Sequence, residues 1–71
     1  MNLTVNGKAA SVAETATLSV NGLLDALNVA QKEYVTVEVN GDIVERELFS
    51  TTTVKDGDTV EFLYFMGGGA Q

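Results

Sequence analysis

The segment Val60-Glu61-Phe62-Leu63-Tyr64-Phe65-Met66 has the strongest strand character in the chain. It is rich in aromatic and β-branched residues, contains no Pro or Gly, and at seven residues has the length of a strand rather than of a helix. Its apolar side chains alternate between two faces, Val60, Phe62, Tyr64 and Met66 on one and Leu63 and Phe65 on the other. The pattern predicts a strand covered on both faces, either in the middle of a sheet or with one face against a partner.

Three glycines, Gly67, Gly68 and Gly69, follow this strand directly. Because they lack a Cβ, they can adopt backbone angles closed to other residues and let another backbone approach closely. Two interpretations fit such a tail. It is either a frayed chain end, as is common for glycine-rich termini, or a chemical handle. In the second case a glycine carboxylate is activated by ATP, and no side chain hinders attack on its carbonyl.

The composition predicts one small domain held together by packing alone. Hydrophobic residues make up 45% of the 71, and there is neither cysteine nor histidine, so we expect no disulfide framework and no Cys/His metal site. No segment approaches the roughly 18 apolar residues of a membrane span, and no signal-peptide pattern is present, so we expect a cytoplasmic protein. The net charge of -6 disfavours nucleic acid and favours a basic protein surface as partner.

The first elements are a predicted hairpin and a helix. Asn6-Gly7 is typical of a two-residue turn and should join a strand containing Leu3 and Val5 to a second strand at about residues 8–13. Residues 15–17 should form a polar connection. A short helix should then begin after the N-cap Ser19 and end near Asn28 or Val29. Its apolar stripe, at helical spacing, consists of Val20, Leu23, Leu24 and Leu27.

The second half of the chain predicts three further strands. Residues 34–39 alternate between polar and apolar side chains, as in a half-buried strand, and Asn40-Gly41 predicts a second hairpin turn before a short return strand at Ile43-Val44. A helical turn should follow at residues 45–49. Asp56-Gly57-Asp58 then predicts a tight turn that leads into the last strand.

The predicted order of elements is therefore β, β, α, β, β, β. One helix packed on a mixed sheet of four or five strands is the simplest two-layer arrangement for this order, and it describes a β-grasp (ubiquitin-like) fold of the α+β class. In that topology the first and last strands lie side by side and parallel in the middle of the sheet. We expect residues 1–66 to form the domain and residues 67–71 a flexible glycine tail.

The sequence offers little for catalysis. Without histidine and cysteine it lacks the usual general base and thiol nucleophile, so we expect no enzyme and no cofactor. Two acidic pairs, Glu45 with Glu47 and Asp56 with Asp58, could be interpreted as an acid/base dyad or a cation site. We expect them instead to form a solvated face and a turn, because Asp is favoured in turns by its own bonding to the backbone.

Taken together, these residues resemble the ubiquitin-like sulfur carriers of thiamine biosynthesis, the ThiS family. The resemblance covers the whole chain, and it rests on the order and spacing of its parts rather than on any single one. Those parts are Asn2-Leu3-Thr4-Val5-Asn6-Gly7, Leu23-Leu24, Val39-Asn40-Gly41, Val44-Glu45-Arg46, Asp56-Gly57-Asp58-Thr59-Val60 and the terminal glycines. Molybdopterin-synthase small subunits share the fold and the tail but are usually longer.

The resemblance implies a cycle of activation and sulfur transfer at the tail. A ThiF/MoeB-like adenylyltransferase of the ubiquitin-activating type uses ATP to adenylate the terminal glycine, and sulfur relayed from cysteine by a desulfurase converts it to a thiocarboxylate. A ThiG-like thiazole synthase accepts that sulfur, and the carrier, expected to be a monomer when free, returns to a carboxylate. The family's terminal diglycine falls on Gly68 and Gly69 of this sequence, with Gly69 as the reacting residue and Gly67 as part of the tail.

The resemblance further implies docking through the apolar surface near the tail. We expect Leu63, Phe65 and Met66 to contact the partner, with acidic neighbours attracting a basic surface. The alternative for these three residues is an ordinary core position.

This sequence departs from the family pattern at its end, where Ala70 and Gln71 follow the diglycine. We expect a peptidase, for example a zinc-dependent one, to remove these two residues after Gly69. Carriers with such extensions resemble those that feed sulfur into homocysteine or cysteine synthesis, which is therefore the second candidate pathway. A module that only binds a partner is the alternative from a different functional class.

Overall fold

The computed structural model describes residues 1–13 and 17–64. Within these ranges the chain forms seven strands, one α-helix and one short 3₁₀ turn. In chain order they are β1 (Asn2–Val5), β2 (Lys8–Ser11), β3 (Thr17–Ser19), α1 (Val20–Ala26), β4 (Val35–Val39), β5 (Asp42–Val44), the 3₁₀ turn (Arg46–Leu48), β6 (Thr53–Lys55) and β7 (Thr59–Tyr64). No helix in the described part is long and apolar enough to cross a membrane.

The main sheet has five strands in the order β2-β1-β7-β4-β5. The first and last strands, β1 and β7, run parallel at its centre, and the other neighbouring pairs are antiparallel. One continuous core joins this sheet to the buried face of α1. The observed topology confirms the predicted β-grasp fold and its mixed sheet of five strands.

The core lies between the helix and one face of the sheet. Its most deeply buried side chains come from α1, from the centre of the sheet and from β6, and they are Val20, Leu23, Leu24, Val35, Val37, Val54 and Val60. Burying side chains of this kind stabilises a fold by about 1.5–3 kcal/mol each relative to leaving them in water. A chain of this length therefore depends on a few closely packed aliphatic residues.

The helix begins as the sequence predicts and ends slightly earlier. The Ser19 hydroxyl accepts a hydrogen bond from the Gly22 backbone N–H at 3.0 Å, which satisfies a donor at the helix start. Gly22 has a packing role, since a Cβ there would lie 2.7 Å from Leu18 Cδ1. The helix ends at Ala26, two residues before the predicted end at Asn28.

Both predicted hairpin turns are confirmed. Asn6 and Asn40 have φ angles of 51° and 52°, and the glycines that follow them also have positive φ, as a type I′ turn requires. Gly57 likewise has a φ of 91° in the predicted tight turn before β7. The predicted helical turn after β5 is the 3₁₀ turn at Arg46–Leu48.

A small second sheet was missed from the sequence. Strands β3 and β6 pair antiparallel, with Leu18 opposite Val54 and Thr17 opposite Lys55. The prediction that residues 15–17 form a polar connection is thus wrong at Thr17, while residues 14–16 lie outside the described ranges. Each strand has three residues, too few for alternation to be recognised against the neighbouring threonines.

Strand boundaries also differ from the predictions. The second strand ends at Ser11 rather than residue 13, and the fourth begins at Val35, because Tyr34 lies in the preceding turn and is 63% exposed. Strand β7 is described as far as Tyr64. Its predicted continuation to Met66 and the domain boundary at that residue lie outside the described ranges.

Candidate docking site at the end of the central strand

The site is built around β7, because the predicted glycine tail follows this strand. Backbone groups of alternate β7 residues point to opposite neighbours, as in any strand. The Asn40 N–H donates to the Thr59 carbonyl at 2.7 Å, and the Asn6 N–H donates to the Val60 carbonyl at 3.0 Å. The backbone groups of Thr59, Glu61 and Leu63 therefore face β4. Those of Val60, Phe62 and Tyr64 face the side of β1.

Two turn asparagines hold β7 from both sides. The Oδ1 atom of Asn40 accepts from the Thr59 N–H at 2.9 Å, and the Oδ1 atom of Asn6 accepts from the Phe62 N–H at 2.8 Å. Both side chains replace a main-chain carbonyl where the neighbouring strand has already turned away. The Asn-Gly pairs were predicted as turns only, and this second role could not be inferred from local sequence.

The face of the sheet opposite the helix carries the predicted contact residue Leu63. Since Val35, Val37 and Val60 point into the core, their alternate neighbours point the other way. We call this surface the open face and define it by residues that the strand register brings together, Thr36 opposite Leu63, Glu38 opposite Glu61, and Ile43 opposite Glu38. Leu63 is half-buried there, whereas Ile43 is 62% exposed.

The open face has an unfavourable charge arrangement. Glu38 and Glu61 lie directly opposite each other on β4 and β7, and like charges in such positions destabilise a sheet. The salt bridges within the described residues join Lys32 to Asp25 and Lys55 to Asp58, so neither glutamate takes part in one. A cation supplied from outside would relieve this repulsion.

Tyr64 is the last residue of β7 that the structure describes. Its hydroxyl donates to the Ala30 carbonyl at 2.7 Å, and its backbone lies opposite Val35 of β4. Its side chain belongs to the face that carries the core and remains 40% exposed at the edge. The chain is thereby anchored to the helix layer immediately before the tail.

Most predicted site residues lie outside the described ranges. Of the proposed contact residues, Leu63 is on the open face, while Phe65 and Met66 are not described. The same holds for the tail and the two residues predicted to be removed, Gly67, Gly68, Gly69, Ala70 and Gln71.

The acidic pairs behave differently from one another. Glu45 and Glu47 are exposed, as expected, and Asp56 and Asp58 flank the predicted turn at Gly57. Asp58 is nevertheless buried in that turn, with only 6% of its surface exposed. The Asp58 carboxylate accepts from the Lys55 backbone N–H at 2.9 Å and from Asn40 Nδ2 at 3.1 Å. Within the described residues no group of three or more acidic side chains is placed to hold a metal ion.

The environment of Asp58 favours its ionised form. Burial raises the pKa of this carboxyl, but the hydrogen bonds from the Lys55 backbone and Asn40 and the charge of Lys55 outweigh it, and the pKa lies below its ordinary value. Asp58 therefore joins the turn before β7 to the Asn40 hairpin. This is a structural role.

The fold and the site define a class of protein, namely a small ubiquitin-like domain in which the central strand leads into a glycine tail. The sequence pattern of the ThiS family matches residues 3–69, so the chain belongs to the ThiS family.

Solved structures of a related protein agree with this assignment. The chain is similar to the crystal structure of a thiamine biosynthesis protein (ThiS) from Geobacter metallireducens, with 68% sequence identity and a TM-score of 0.89 over 97% of this chain and 100% of that one. The NMR solution structure of a thiamine biosynthesis protein from the same organism gives 66% identity and a TM-score of 0.76, covering 100% of this chain and 91% of that one.

A longer relative contains a segment similar to this chain. A thiazole synthase from Paramagnetospirillum magneticum is 36% identical over 70 residues, which is 99% of this chain. The chain spans about a fifth of that protein, 21% of its length. That thiazole synthase thus contains a segment similar to this domain within its own longer chain.

Proposed function

We propose that this protein is a sulfur carrier for thiamine biosynthesis, acting in the cytoplasm as a substrate of other enzymes rather than as a catalyst. The observation that carries the proposal is the family match, which runs from residue 3 to residue 69 and so ends on the second glycine of the diglycine. This supports Gly69 as the residue whose carboxylate reacts, after Ala70 and Gln71 have been removed by a peptidase.

The proposed chemistry needs a carboxylate that is first activated and then substituted. The Gly69 carboxylate attacks the α-phosphorus of ATP, pyrophosphate leaves, and an acyl-adenylate forms. A cysteine desulfurase relay delivers the sulfur as a protein persulfide, whose outer sulfur attacks the carbonyl carbon and displaces AMP. A thiol then reduces the S–S bond of the resulting acyl disulfide, which releases the thiocarboxylate and leaves a disulfide behind. The resulting thiocarboxylate gives its sulfur to the acceptor, and hydrolysis restores the carboxylate.

The partners follow from this cycle. A ubiquitin-activating-type adenylyltransferase performs the first step and a thiazole synthase accepts the sulfur. The similarity to a segment of a longer thiazole synthase supports the second partner, because joining two modules in one chain raises their effective concentration for each other.

The open face is the proposed docking surface for these partners. Leu63 and Ile43 supply apolar contact area, and Glu38 with Glu61 attracts a Lys or Arg of the partner. Since the two glutamates repel each other in the free protein, pairing with a cation removes an existing strain as well as adding an attraction. Phe65, which shares the alternation of Leu63, is proposed to extend the apolar part of this surface, and Met66 is proposed to contact the partner beside it.

Adenylation of defined chain ends tests the function directly. The purified activating enzyme is given ATP and three forms of the protein, ending at Gly68, Gly69 and Gln71, and the release of pyrophosphate is measured. We expect release with the form that ends at Gly69 and little with the other two. A form ending at Gly69 that releases no pyrophosphate would refute the proposed cycle.

The native protein provides an independent check. Its mass, measured from its own cells, should correspond to loss of Ala70 and Gln71 and a gain of about 16 Da when oxygen is replaced by sulfur at the terminus. An intact and unmodified terminus in cells that are making thiamine would count against the proposal and favour a module that only binds.

The two residues after the diglycine favour a second candidate, a carrier that feeds sulfur into homocysteine or cysteine synthesis. A strain in which codons 68–71 are deleted distinguishes the two pathways by the supplement that restores its growth. Rescue of growth by thiamine supports the first candidate, whereas rescue only by methionine or cysteine supports the second. Normal growth without any supplement would contradict both.

A further inference from the structure

The edge of β7 toward β1 is only partly paired. Strand β1 pairs with β7 at Thr4 opposite Thr59 and Val5 opposite Val60, and the chain then turns away at Asn6-Gly7. The Phe62 N–H donates to Asn6 Oδ1, and this is the last hydrogen bond on this side of β7. By the alternation of the strand, the next groups on this edge are the Phe62 carbonyl and the Tyr64 N–H.

No other strand of the described chain lies along this part of the edge, since the neighbours of β7 are β1 and β4 alone. The tip of the hairpin turn is not covered either, since no atom lies within 4 Å of the position that a Cβ on Gly7 would occupy. The edge of β4 that faces β5 also extends beyond its neighbouring strand, but a side chain pairs with it. There the Val35 carbonyl, beyond the end of β5, accepts from Arg46 Nη2 at 2.7 Å.

We propose that the free β7 edge, formed by the Phe62 carbonyl and the Tyr64 N–H, is a strand-addition site at which an extended segment of the activating enzyme pairs with the carrier. The proposal rests on the proposed function and names a contact that this function requires. An unpaired strand edge is a ready template for another backbone, and main-chain pairing of this kind supplies affinity in peptide recognition.

The length of the tail limits how far from this edge the activating enzyme, the first enzyme of the proposed cycle to hold Gly69, can lie. Five residues, 65–69, separate Tyr64 from the reacting carboxylate, and fully extended they span at most about 18 Å. An enzyme that holds the Gly69 carboxylate therefore has its active site within that distance of the free edge, so its surface next to the active site lies near the edge. Three of the five residues are glycines, which offer no side chain for recognition, so orientation has to come from the backbone and from the strand before them.

A second copy of this chain is a poorer occupant. Each copy carries a net charge of -6, so two copies repel each other. The described free edge is also only three residues long, from Phe62 to Tyr64, which is short for a stable pairing without additional contacts. An enzyme segment that continues into the active site provides those contacts along the tail.

Proline at position 64 tests the proposal with a matched control. Tyr64→Pro removes the N–H that faces the free edge and leaves the β4-facing groups of residue 63 in place, whereas Tyr64→Ala removes the same side chain and keeps the N–H. Both variants end at Gly69, and KM and kcat for pyrophosphate release are measured with the activating enzyme. We expect KM to rise about ten- to a hundredfold more for Pro than for Ala, the effect of leaving a main-chain group unpaired, with similar kcat.

Hydrogen exchange on the unsubstituted protein gives a second measurement that does not depend on folding of the proline variant. In the free protein the Leu63 amide should be protected by β4 and the Tyr64 amide should exchange fast. On addition of the activating enzyme, the Tyr64 amide should become protected.

The outcomes separate the two proposals. Equal KM values for the folded Pro and Ala variants, or a Tyr64 amide that still exchanges fast in the complex, would overturn strand addition while leaving the carrier function intact. Absence of pyrophosphate release from the unsubstituted form ending at Gly69 would reject the carrier function and, with it, the strand addition that depends on it.

Discussion

Asp58 shows how a single buried carboxylate connects distant parts of this chain. Both of its oxygens accept hydrogen bonds, Oδ2 from the Lys55 backbone and Oδ1 from Asn40. Asn40 in turn bonds Thr59 at the start of β7. The turn, the hairpin and the central strand thus share one hydrogen-bonded group, and changing it affects all three.

We predict that Asp58→Asn lowers the free energy of unfolding at neutral pH by about 1–3 kcal/mol, because one of the two acceptors becomes a donor that faces another donor. Urea denaturation measures this. Asp56→Asn is the matched control, since the exposed Asp56 uses one oxygen to accept from the Asn2 N–H at 2.6 Å and an amide oxygen can do the same. Equal stability of the two variants would contradict the role assigned to Asp58.

The same prediction has a pH dependence. The pKa of Asp58 in the folded protein lies below the unfolded-state value, which is about 3.9. The contribution of its ionised form to stability is therefore complete above about pH 4 and is lost as the pH falls through the folded-state pKa. We expect the difference in stability between the unsubstituted protein and Asp58→Asn to shrink in that acidic range and to remain constant from pH 5 to 8.

Among the elements, the small β3–β6 sheet gives the clearest test of the structure against the sequence. Val54, in the middle of β6, is fully buried, although the sequence analysis predicts no strand there. We predict that Val54→Ala lowers the free energy of unfolding by about 2 kcal/mol through lost burial and the cavity left behind. Thr53→Ala, an exposed neighbour on the same strand, should change it by much less, and similar losses for both would contradict the observed packing.

An element could be predicted when the residues that specify it are close together in the sequence. The strand at Val35–Val39, the Asn-Gly turns and the Ser19 cap are specified by residues adjacent in sequence, and all were predicted. Strands β3 and β6 owe their existence to pairing across 34 or more residues, as between Ser19 and Thr53. Local periodicity in the sequence does not reveal such long-range pairing.

The site followed the same rule. Strand alternation placed Leu63 on the face opposite Val60 and Phe62, because period two is a local property, whereas its docking role came from the family resemblance. The opposition of Glu38 and Glu61 and the reach of the Asn6 side chain to Phe62 depend on the register between strands that are distant in sequence. They became visible only in the folded chain, and they carry most of the docking argument.

For the molecule as a whole, net charge and local charge placement can be separated by experiment. We predict that Glu61→Gln raises the free energy of unfolding by about 0.2–1 kcal/mol, since it removes a cross-strand repulsion. The same change should raise KM for the activating enzyme severalfold at low salt, and the effect should fade as salt screens the attraction. Denaturation and pyrophosphate release measure the two quantities.

Glu47→Gln is the control with the same loss of net charge, because Glu47 lies exposed on the 3₁₀ turn and is not among the residues that define the open face. It should leave stability unchanged and KM nearly so. If Glu47→Gln raises KM as much as Glu61→Gln, overall charge rather than the open face governs docking.

The two hairpin asparagines also bear on how this protein ages. Asn followed by Gly is the sequence most prone to deamidation, in which the next backbone nitrogen attacks the side-chain carbonyl, and Asn is a thermolabile residue. Here both side-chain oxygens are held on β7 at 2.8 and 2.9 Å, turned toward the sheet. Folding should slow this damage, and at Asn40 the damage would place a new carboxylate beside Asp58. Molecules that unfold often at these turns should therefore become deamidated first. Their folded state should then be less stable, and they should be degraded first.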